Sequence, residues 1–388
     1  MTDRLLLVVA AFFPDSYGGA ERQAQILADA LGRRGVDVTL VAPTVAPDVP
    51  EVEETAFGRI VRRKVRHYPN LGGRRIASFL AWTAWFAARF GGAAWRGVPV
   101  YVFHARLHAA GPALAAMRSG SPLLVKLGGG GEASEFAALR AKRFFYGDWV
   151  EALLRRRVDR FVANSGQIAD ELLALGIPDR RIARFPNGVV LPPAERLEAA
   201  LAGRSGRRFV YAGRLVADKR IAVLHEAALA VEQGGDAVEL RLVGEGPERD
   251  RLAPTLAKDG SAAVRYPGYT ADVYGELLGA DFFVSASMRE GQSNALLEAM
   301  SAGVVPIVYA ASGVAEIVTQ GETGFVVPES TPEAFAAAMR AALRLDPDRR
   351  AAMARAARGF AEAHIGIDSV AERTLATIAD IQRERSGP

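Results

Sequence analysis

Leu5-Leu6-Leu7-Val8-Val9-Ala10 is an unbroken apolar run. It is followed by Gly18-Gly19-Ala20-Glu21, by apolar residues at helical spacing as far as Arg34, by Gly35, and then by the β-branched stretch Val36-Asp37-Val38-Thr39-Leu40-Val41-Ala42. A strand without polar alternation is buried on both faces, and a helix between two such strands carries the chain back to start a parallel neighbour. The chain therefore opens as a βαβ unit. The alternation continues with strands expected at 98–103, 122–127, 160–163 and 181–185 and helices over 74–90, 109–118, 135–157 and 166–175. Strands separated by helices imply a parallel sheet covered on both faces, an α/β fold.

A second series follows a polar, Pro-containing stretch. Its strands are expected at 208–212, 239–243, 263–266, 281–285, 304–308 and 325–327, and the tail reads as helical from about Pro347. The implied organisation is a first Rossmann-like domain over 1–190, a linker over 191–207, a second Rossmann-like domain over 208–365, and a C-terminal helix over 366–388 packing back toward the first domain. Two doubly wound domains in tandem are expected to face each other across a cleft at their strand C-terminal ends.

Composition narrows the chemistry. The 388 residues are 50% hydrophobic and 24% charged and contain no cysteine, which excludes disulfides, thiolate metal sites and cysteine nucleophiles and fits a reducing, cytoplasmic setting. Five histidines leave little room for a zinc cluster. Residues 1–190 carry 26 Lys and Arg against 17 Asp and Glu, whereas the remainder carries 22 against 27. The basic front half is the side expected to meet an anionic partner, with solvated helix faces as the plain alternative. The run 5–13 leads into Pro14, Asp15 and Gly18 rather than a cleavage site and reads as a buried strand.

The chemistry concentrates in Ser287-Met-Arg-Glu290-Gly291-Gln292-Ser293-Asn294-Ala-Leu-Leu-Glu298, directly after an apolar strand. A helix starting near Ser293 offers unpaired N–H groups and a partial positive charge to an anionic ligand. Glu298 lies two turns beyond Glu290 and is suited to accept hydrogen bonds from sugar or ribose hydroxyls. Gly18 and Gly19 stand between a strand and a helix, where missing side chains let backbone amides approach phosphate or make a plain turn.

This block resembles the glutamate, seven residues, glutamate signature of glycosyltransferase family 4, retaining enzymes of GT-B fold that use nucleotide sugars. Further matches occur in order: Gly18-Gly19-Ala20-Glu21, Pro186-Asn187-Gly188-Val189, Tyr211-Ala-Gly-Arg214-Leu-Val-Ala-Asp-Lys219, Val243-Gly-Glu-Gly-Pro247, Tyr266-Pro-Gly-Tyr269 and Gly321-Glu-Thr-Gly324-Phe-Val-Val-Pro328. The resemblance implies that Arg214 and Lys219 clamp the donor diphosphate, that Glu290 contacts the donor sugar and Glu298 the ribose, and that Gly18, Gly19, Gly291, Gln292, Ser293, Asn294 and Tyr269 complete donor binding. Fixed cations suit this task because the departing nucleoside diphosphate gathers negative charge. It implies no cofactor and no metal, a UDP- or GDP-linked sugar as donor, a sugar or lipid-linked acceptor in cell-surface polysaccharide or glycolipid assembly, and no nucleic acid.

One departure stands out. Many relatives end the strand at 122–127 in a histidine that reaches the donor sugar, and here that place is Gly128. His104, at the end of the strand at 98–103, is a candidate replacement, against the alternative of a buried, hydrogen-bonded histidine. Lys126, Glu132 and Asn187 are further acceptor-side candidates. Competing functions are a nucleotide-sugar epimerase or sugar-phosphate synthase on the same scaffold, or a noncatalytic nucleotide- or carbohydrate-binding protein. A dehydrogenase is disfavoured because no complete glycine fingerprint occurs. Asp346-Pro347-Asp348 reads as a helix cap rather than a metal site.

The stretch 74–90 combines flanking arginines with Phe79, Trp82, Trp85, Phe86 and Phe90 and is too short to span a bilayer. Two readings follow: aromatics packed inside the first domain, or a peripheral contact with the anionic inner face of a membrane.

Overall fold

The computed structural model describes residues 2–71, 75–129, 134–142, 146–259, 261–288, 292–311 and 313–386. It divides into two compact units, one of residues 1–188 with 367–388, the other of residues 189–366.

The first unit begins with β1 (Arg4–Val8), α1 (Gly19–Arg33), β2 (Asp37–Thr44), β3 (Val52–Thr55), β4 (Gly58–Lys64), α2 (Ile76–Phe90), β5 (Val100–Phe103), α3 (Ala110–Ser119) and β6 (Leu123–Leu127). It continues through α4 (Glu135–Arg140), α5 (Tyr146–Arg157), β7 (Arg160–Ala163), α6 (Gly166–Ala174) and β8 (Ile182–Arg184). The sheet order is β3-β4-β2-β1-β5-β6-β7-β8. Every pairing is parallel except β3 with β4, which is antiparallel. The β3–β4 hairpin is absent from the sequence expectation for a physical reason: Val52-Glu-Glu-Thr55 is a charged, mostly exposed edge strand without alternation.

The second unit contains α7 (Ala194–Gly203), β9 (Arg208–Ala212), α8 (Ile221–Gln233), β10 (Glu239–Val243), α9 (Pro247–Asp259), β11 (Val264–Gly268), α10 (Val273–Leu278), β12 (Phe282–Ser285), α11 (Asn294–Ser301), β13 (Val305–Tyr309), β14 (Phe325–Val327), α12 (Pro332–Leu343) and α13 (Pro347–Phe360). Its sheet, all parallel, has the order β11-β10-β9-β12-β13-β14. Asp346 caps α13 by accepting from the Arg349 N–H at 2.8 Å, with Pro347 at the first helical position. The last helix, α14 (Ile367–Ser386), belongs to the first unit and buries Ile367, Val370, Ile378 and Ile381 against the side of the sheet that α1 covers.

The segment expected as a linker is not one. Residues 194–203 form α7, whose Leu197 is buried, and Arg204 then donates to the carbonyls of Ala302 and Gly303. The following turn is fixed by Asp281, a fully buried carboxylate that accepts from the N–H groups of Gly206, Arg207 and Arg208 at 2.8–3.0 Å. Alanine-rich α7 resembles a linker in the sequence because its single anchoring leucine is a weak periodic signal. The chain enters the second unit at Val189 and leaves it at Gly366, and these two residues form a parallel bridge.

The aromatic stretch of α2 packs inside the first unit. Phe79, Trp82, Phe86 and Phe90 are all at most 2% exposed, and the Trp82 indole N–H donates to the His108 carbonyl at 2.8 Å. Membrane insertion of these rings is therefore ruled out by their burial. Leu80 is exposed on the opposite face, and Arg75 and Arg89 are exposed at the two ends. Among the described residues no helix is long and apolar enough to cross a membrane.

Candidate active site

In the second unit, the C-terminal ends of adjacent strands carry most of the sequence-predicted donor residues. Arg214 follows β9 and is exposed, and among the described residues its guanidinium has no hydrogen-bond or ion-pair partner. Tyr211 donates its phenol O–H to the Arg214 carbonyl at 3.0 Å, fixing the backbone there. Lys219 ends a short 3-10 turn and is half-buried, with its Nζ donating to Ser287 Oγ at 3.5 Å. The sequence reading assigns no role to Ser287, which follows the core strand β12 and ties the lysine to the next loop.

Arg220, directly after Lys219, holds left-handed backbone at φ 55° and serves as the N-cap of α8. Its guanidinium donates to the Ser330 carbonyl at 2.8 Å, while Ser330 Oγ donates to the Ala286 carbonyl at 2.9 Å. Three loops of the crest are thereby fastened together around Lys219.

Ser293 caps α11, its Oγ accepting from the Leu296 N–H at 3.4 Å. Gln292, Ser293, Asn294 and Glu298 are half-buried, and a small cavity lined by Ser285, Ser287, Gln292, Ser293, Tyr309 and Gly313 lies at the start of the helix. Tyr269 lies beyond β11 near the edge of the sheet with 69% of its surface exposed, and its N–H donates to Glu245. Glu290 and Gly291 lie outside the described residues, as does Glu132.

In the first unit, the space in front of Gly18 is occupied. A Cβ there would stand 2.4 Å from Glu21 Oε2, and Glu21 is buried. The positive end of α1 thus already meets a carboxylate of the chain. Gly18 makes room for this carboxylate, a use of glycine that the sequence pattern alone does not separate from phosphate binding.

Further along the same sheet edge, His104 has φ 75° and its Nδ1 meets Glu135 Oε1. Glu135 also accepts from the N–H of Ala105 at 2.6 Å and of Gly128 at 3.1 Å. Burial alone would push this carboxyl up, but the charges of His104 and Arg106 and the Ala105 N–H outweigh it and hold it below its ordinary value. Lys126 is buried, and burial pushes its amine down to about 7, with Nζ 5.4 Å from the centre of the Phe103 ring. Asn187 is buried and its Oδ1 accepts from Asn164 Nδ2 at 3.4 Å, while Asn164 Oδ1 is buried without a hydrogen-bond partner among the described residues. Gln23 fixes the next residue from both sides, donating to the Gly188 carbonyl at 2.7 Å and accepting from its N–H at 2.8 Å. Glu135, at the first position of a short helix, looks like an ordinary helix-start acid in the sequence. Among the described residues no group of three or more His, Asp or Glu could hold a metal ion.

Residues 18–188 match the family described as glycosyl transferase 4-like domain, and residues 206–344 match glycosyl transferases group 1. The chain belongs to the family 4-type glycosyltransferases. This family 4-type chain is 27% identical over 349 residues to a GDP-mannose-dependent alpha-mannosyltransferase of Mycobacterium tuberculosis, covering 84% of each. It is 30% identical over 243 residues to WcaL of Escherichia coli, named for colanic acid biosynthesis, covering 58% of this chain and 57% of that relative. The alignments thus span about half the length of the first curated relatives, WcaL of E. coli and of Salmonella typhimurium. Among solved structures, Anabaena HepE in complex with UDP superposes with a TM-score of 0.74 at 17% identity over 97% of this chain and 100% of that one. Sucrose-phosphate synthase of Thermosynechococcus elongatus gives 0.75 at 21% identity over 97% and 99%. The fold is GT-B.

Proposed function

We propose that the protein transfers a sugar from a nucleoside diphosphate sugar to an acceptor hydroxyl, with retention at the anomeric carbon, in polysaccharide or glycolipid assembly. The observation that carries this reading is the crest of the second unit, where Arg214 stands exposed and Lys219 is fastened beside the loop that leads to α11. Departure of the diphosphate develops negative charge, and a guanidinium that holds two oxygens together with an ammonium acting as a point charge stabilises it. Glu298 is suited to the ribose hydroxyls and Glu290 to the donor sugar. The relatives named for GDP-mannose and crystallised with UDP support a nucleotide-linked donor. Retention needs no carboxylate nucleophile if the acceptor attacks on the face the leaving group departs from.

On the acceptor side, the basic first unit favours a lipid-linked or anionic acceptor at the cytoplasmic face of a membrane. With Phe79, Trp82, Phe86 and Phe90 buried and Trp85 half-buried against the core, such a contact rests on Arg75, Leu80 and Arg89. Sedimentation with anionic vesicles at low salt that is lost on Leu80→Glu supports it, and a protein that stays in the supernatant refutes it.

The transferase reading is tested by a thermal-shift panel of UDP, GDP, ADP and their sugars. A ligand at 100 times its Kd adds about 2.7 kcal/mol of stability. A shift with one nucleotide that disappears in Arg214→Ala is the expected result. No shift with any of them refutes the reading.

A further inference from the structure

Arg220 has φ 55° and ψ 40°, a left-handed backbone that among the described residues one other non-glycine residue, His104, shares. Such a conformation brings Cβ close to the carbonyl oxygen, and glycine adopts it without that cost. Arg220 is also the N-cap of α8, where Ser, Thr, Asp or Asn would offer an oxygen to the first N–H groups, yet its side chain makes no cap hydrogen bond. On backbone grounds the position calls for another residue. Strain of this kind persists where the surroundings hold it, and it gathers at functional sites.

What arginine supplies is reach. Its guanidinium donates to the Ser330 carbonyl at 2.8 Å and to Met288 Sδ at 3.4 Å, spanning from the β9–α8 loop to the loops that follow β12 and β14. Ser330 Oγ donates to the Ala286 carbonyl at 2.9 Å, and the residue after Ala286, Ser287, accepts from Lys219 Nζ at 3.5 Å. Because Lys219 directly precedes Arg220, these contacts close a ring through Lys219, Arg220, Ser330, Ala286 and Ser287. Ala286, Ser287 and Ser330 are buried, so the ring is anchored in the body of the second unit, to which all five residues belong.

A lysine is a point charge on a long flexible stem and does not hold a position by itself. Here its backbone is restrained through Arg220 and its ammonium through Ser287. A charge fixed in advance stabilises a developing anion better than a mobile one, because nothing has to reorganise as the reaction proceeds.

We propose that Arg220 is a positioning residue for Lys219: its guanidinium keeps the lysine in register with the loop after β12, so that the ammonium stands where negative charge develops on the departing diphosphate. The proposal rests on the transferase reading above. It gives Arg220 no contact with substrate, and it explains why a strained arginine stands where glycine would be relaxed.

The test uses the full chain and combines Arg220→Gly, Arg220→Ala and Arg220→Lys with Lys219→Ala. Arg220→Gly removes the guanidinium and the strain together, whereas Arg220→Ala removes the guanidinium and keeps the strain. The glycine variant should therefore melt a few degrees above the alanine variant. Both should nevertheless lower kcat by about tenfold or more, since a misplacement of about 1 Å can cost on the order of 10²-fold, while the donor KM stays within about twofold. Arg220→Lys, which keeps a donor for the Ser330 carbonyl, should recover part of the loss. The decisive comparison is in the Lys219→Ala background, where adding Arg220→Gly should change kcat by less than about twofold because the group it positions is gone. Losses that multiply in the double variant show that Arg220 acts on its own and overturn the proposal. So does an Arg220→Gly protein with kcat within about twofold of wild type, because activity would then follow backbone strain rather than the guanidinium. If the wild type transfers no sugar from any donor, both readings fall; if it does and the losses multiply, only this one falls.

Discussion

Gly244 lies so close to Gly213 that a Cβ added to it would stand 1.9 Å from the Gly213 carbonyl oxygen. Gly244 also has φ 135°, and its N–H donates to the Gly268 carbonyl at 2.8 Å. Three successive strand ends, β9, β10 and β11, therefore meet through glycine backbones. Val243-Gly-Glu-Gly-Pro247 looks like a broken dinucleotide fingerprint in the sequence, but its first glycine is a packing device that brings the β9 and β10 loops together. Gly244→Ala combines overpacking with left-handed strain, each about 1–3 kcal/mol. Urea unfolding should show a loss of about 3 kcal/mol or more, and a loss below about 1 kcal/mol would contradict this packing.

The donor residues should separate in kinetics. Arg214→Ala and Lys219→Ala are expected to lower kcat by on the order of 10² with the fold retained, because in the proposed function both act on charge that develops at the leaving group. Glu298→Ala should chiefly weaken donor binding, since ribose contacts are equal in the ground and transition states. Steady-state kinetics with the donor varied distinguish the two patterns. Normal turnover in both cation variants would remove the clamp assignment.

Much of this is legible in the sequence because buried parallel strands write themselves as apolar runs. The strands flanking Arg214 and Ser287 lie almost to the residue where the runs at 208–212 and 281–285 put them. The unread parts share a cause: their signal lies in the partner rather than in the residue. Glu135 is significant because β5 and β6 bring Ala105 and Gly128 to it, and Gly18 because Glu21 folds back on it. Arg220 stands in left-handed backbone, a conformation more often given to glycine, because its side chain reaches Ser330, 110 residues away in sequence.

Transfer should survive excess EDTA. In the proposed function Arg214 and Lys219 supply two positive charges at the crest of the second unit, enough to offset the leaving diphosphate without a resident ion. The measurement is turnover before and after chelation, and activity restored only by added Mg²⁺ or Mn²⁺ would contradict it.

His108 should make the protein acid-sensitive. It is fully buried, and desolvation, followed by the charges of His104 and Arg106, pushes its pKa down to about 3. Between its unfolded value near 6.5 and about 3, the unfolded chain binds a proton that the native state does not. Its contribution is complete above about pH 6.5 and falls by up to about 1.4 kcal/mol per pH unit as the pH drops toward the native value. Denaturant midpoints of wild type and His108→Gln measured from pH 7 to pH 4 should converge as the pH falls. Parallel curves would exclude His108 as the source.

Lys126 presents the opposite case, a cation whose burial works against folding. Its residue is 5% exposed, its amine is pushed down to about 7 by burial, and among the described residues Nζ has no hydrogen-bond partner. Below about pH 7 the amine is charged in both states and the native state bears the full desolvation penalty. Above about pH 10.5 it is neutral in both and the penalty is gone. Stability attributable to this group therefore rises with pH between those limits. Lys126→Met, similar in length and apolar, should stabilise the protein by a few kcal/mol, about 1.4 kcal/mol for each tenfold loss of proton affinity that burial imposes on the amine. The gain should be greatest below about pH 7 and vanish toward about pH 10.5. If Lys126 also serves on the acceptor side, as the sequence resemblance implies, the same variant should raise the acceptor KM. Urea midpoints across the pH range decide the first point and acceptor kinetics the second. A stability difference that does not vary with pH would show that the buried amine is not the cause.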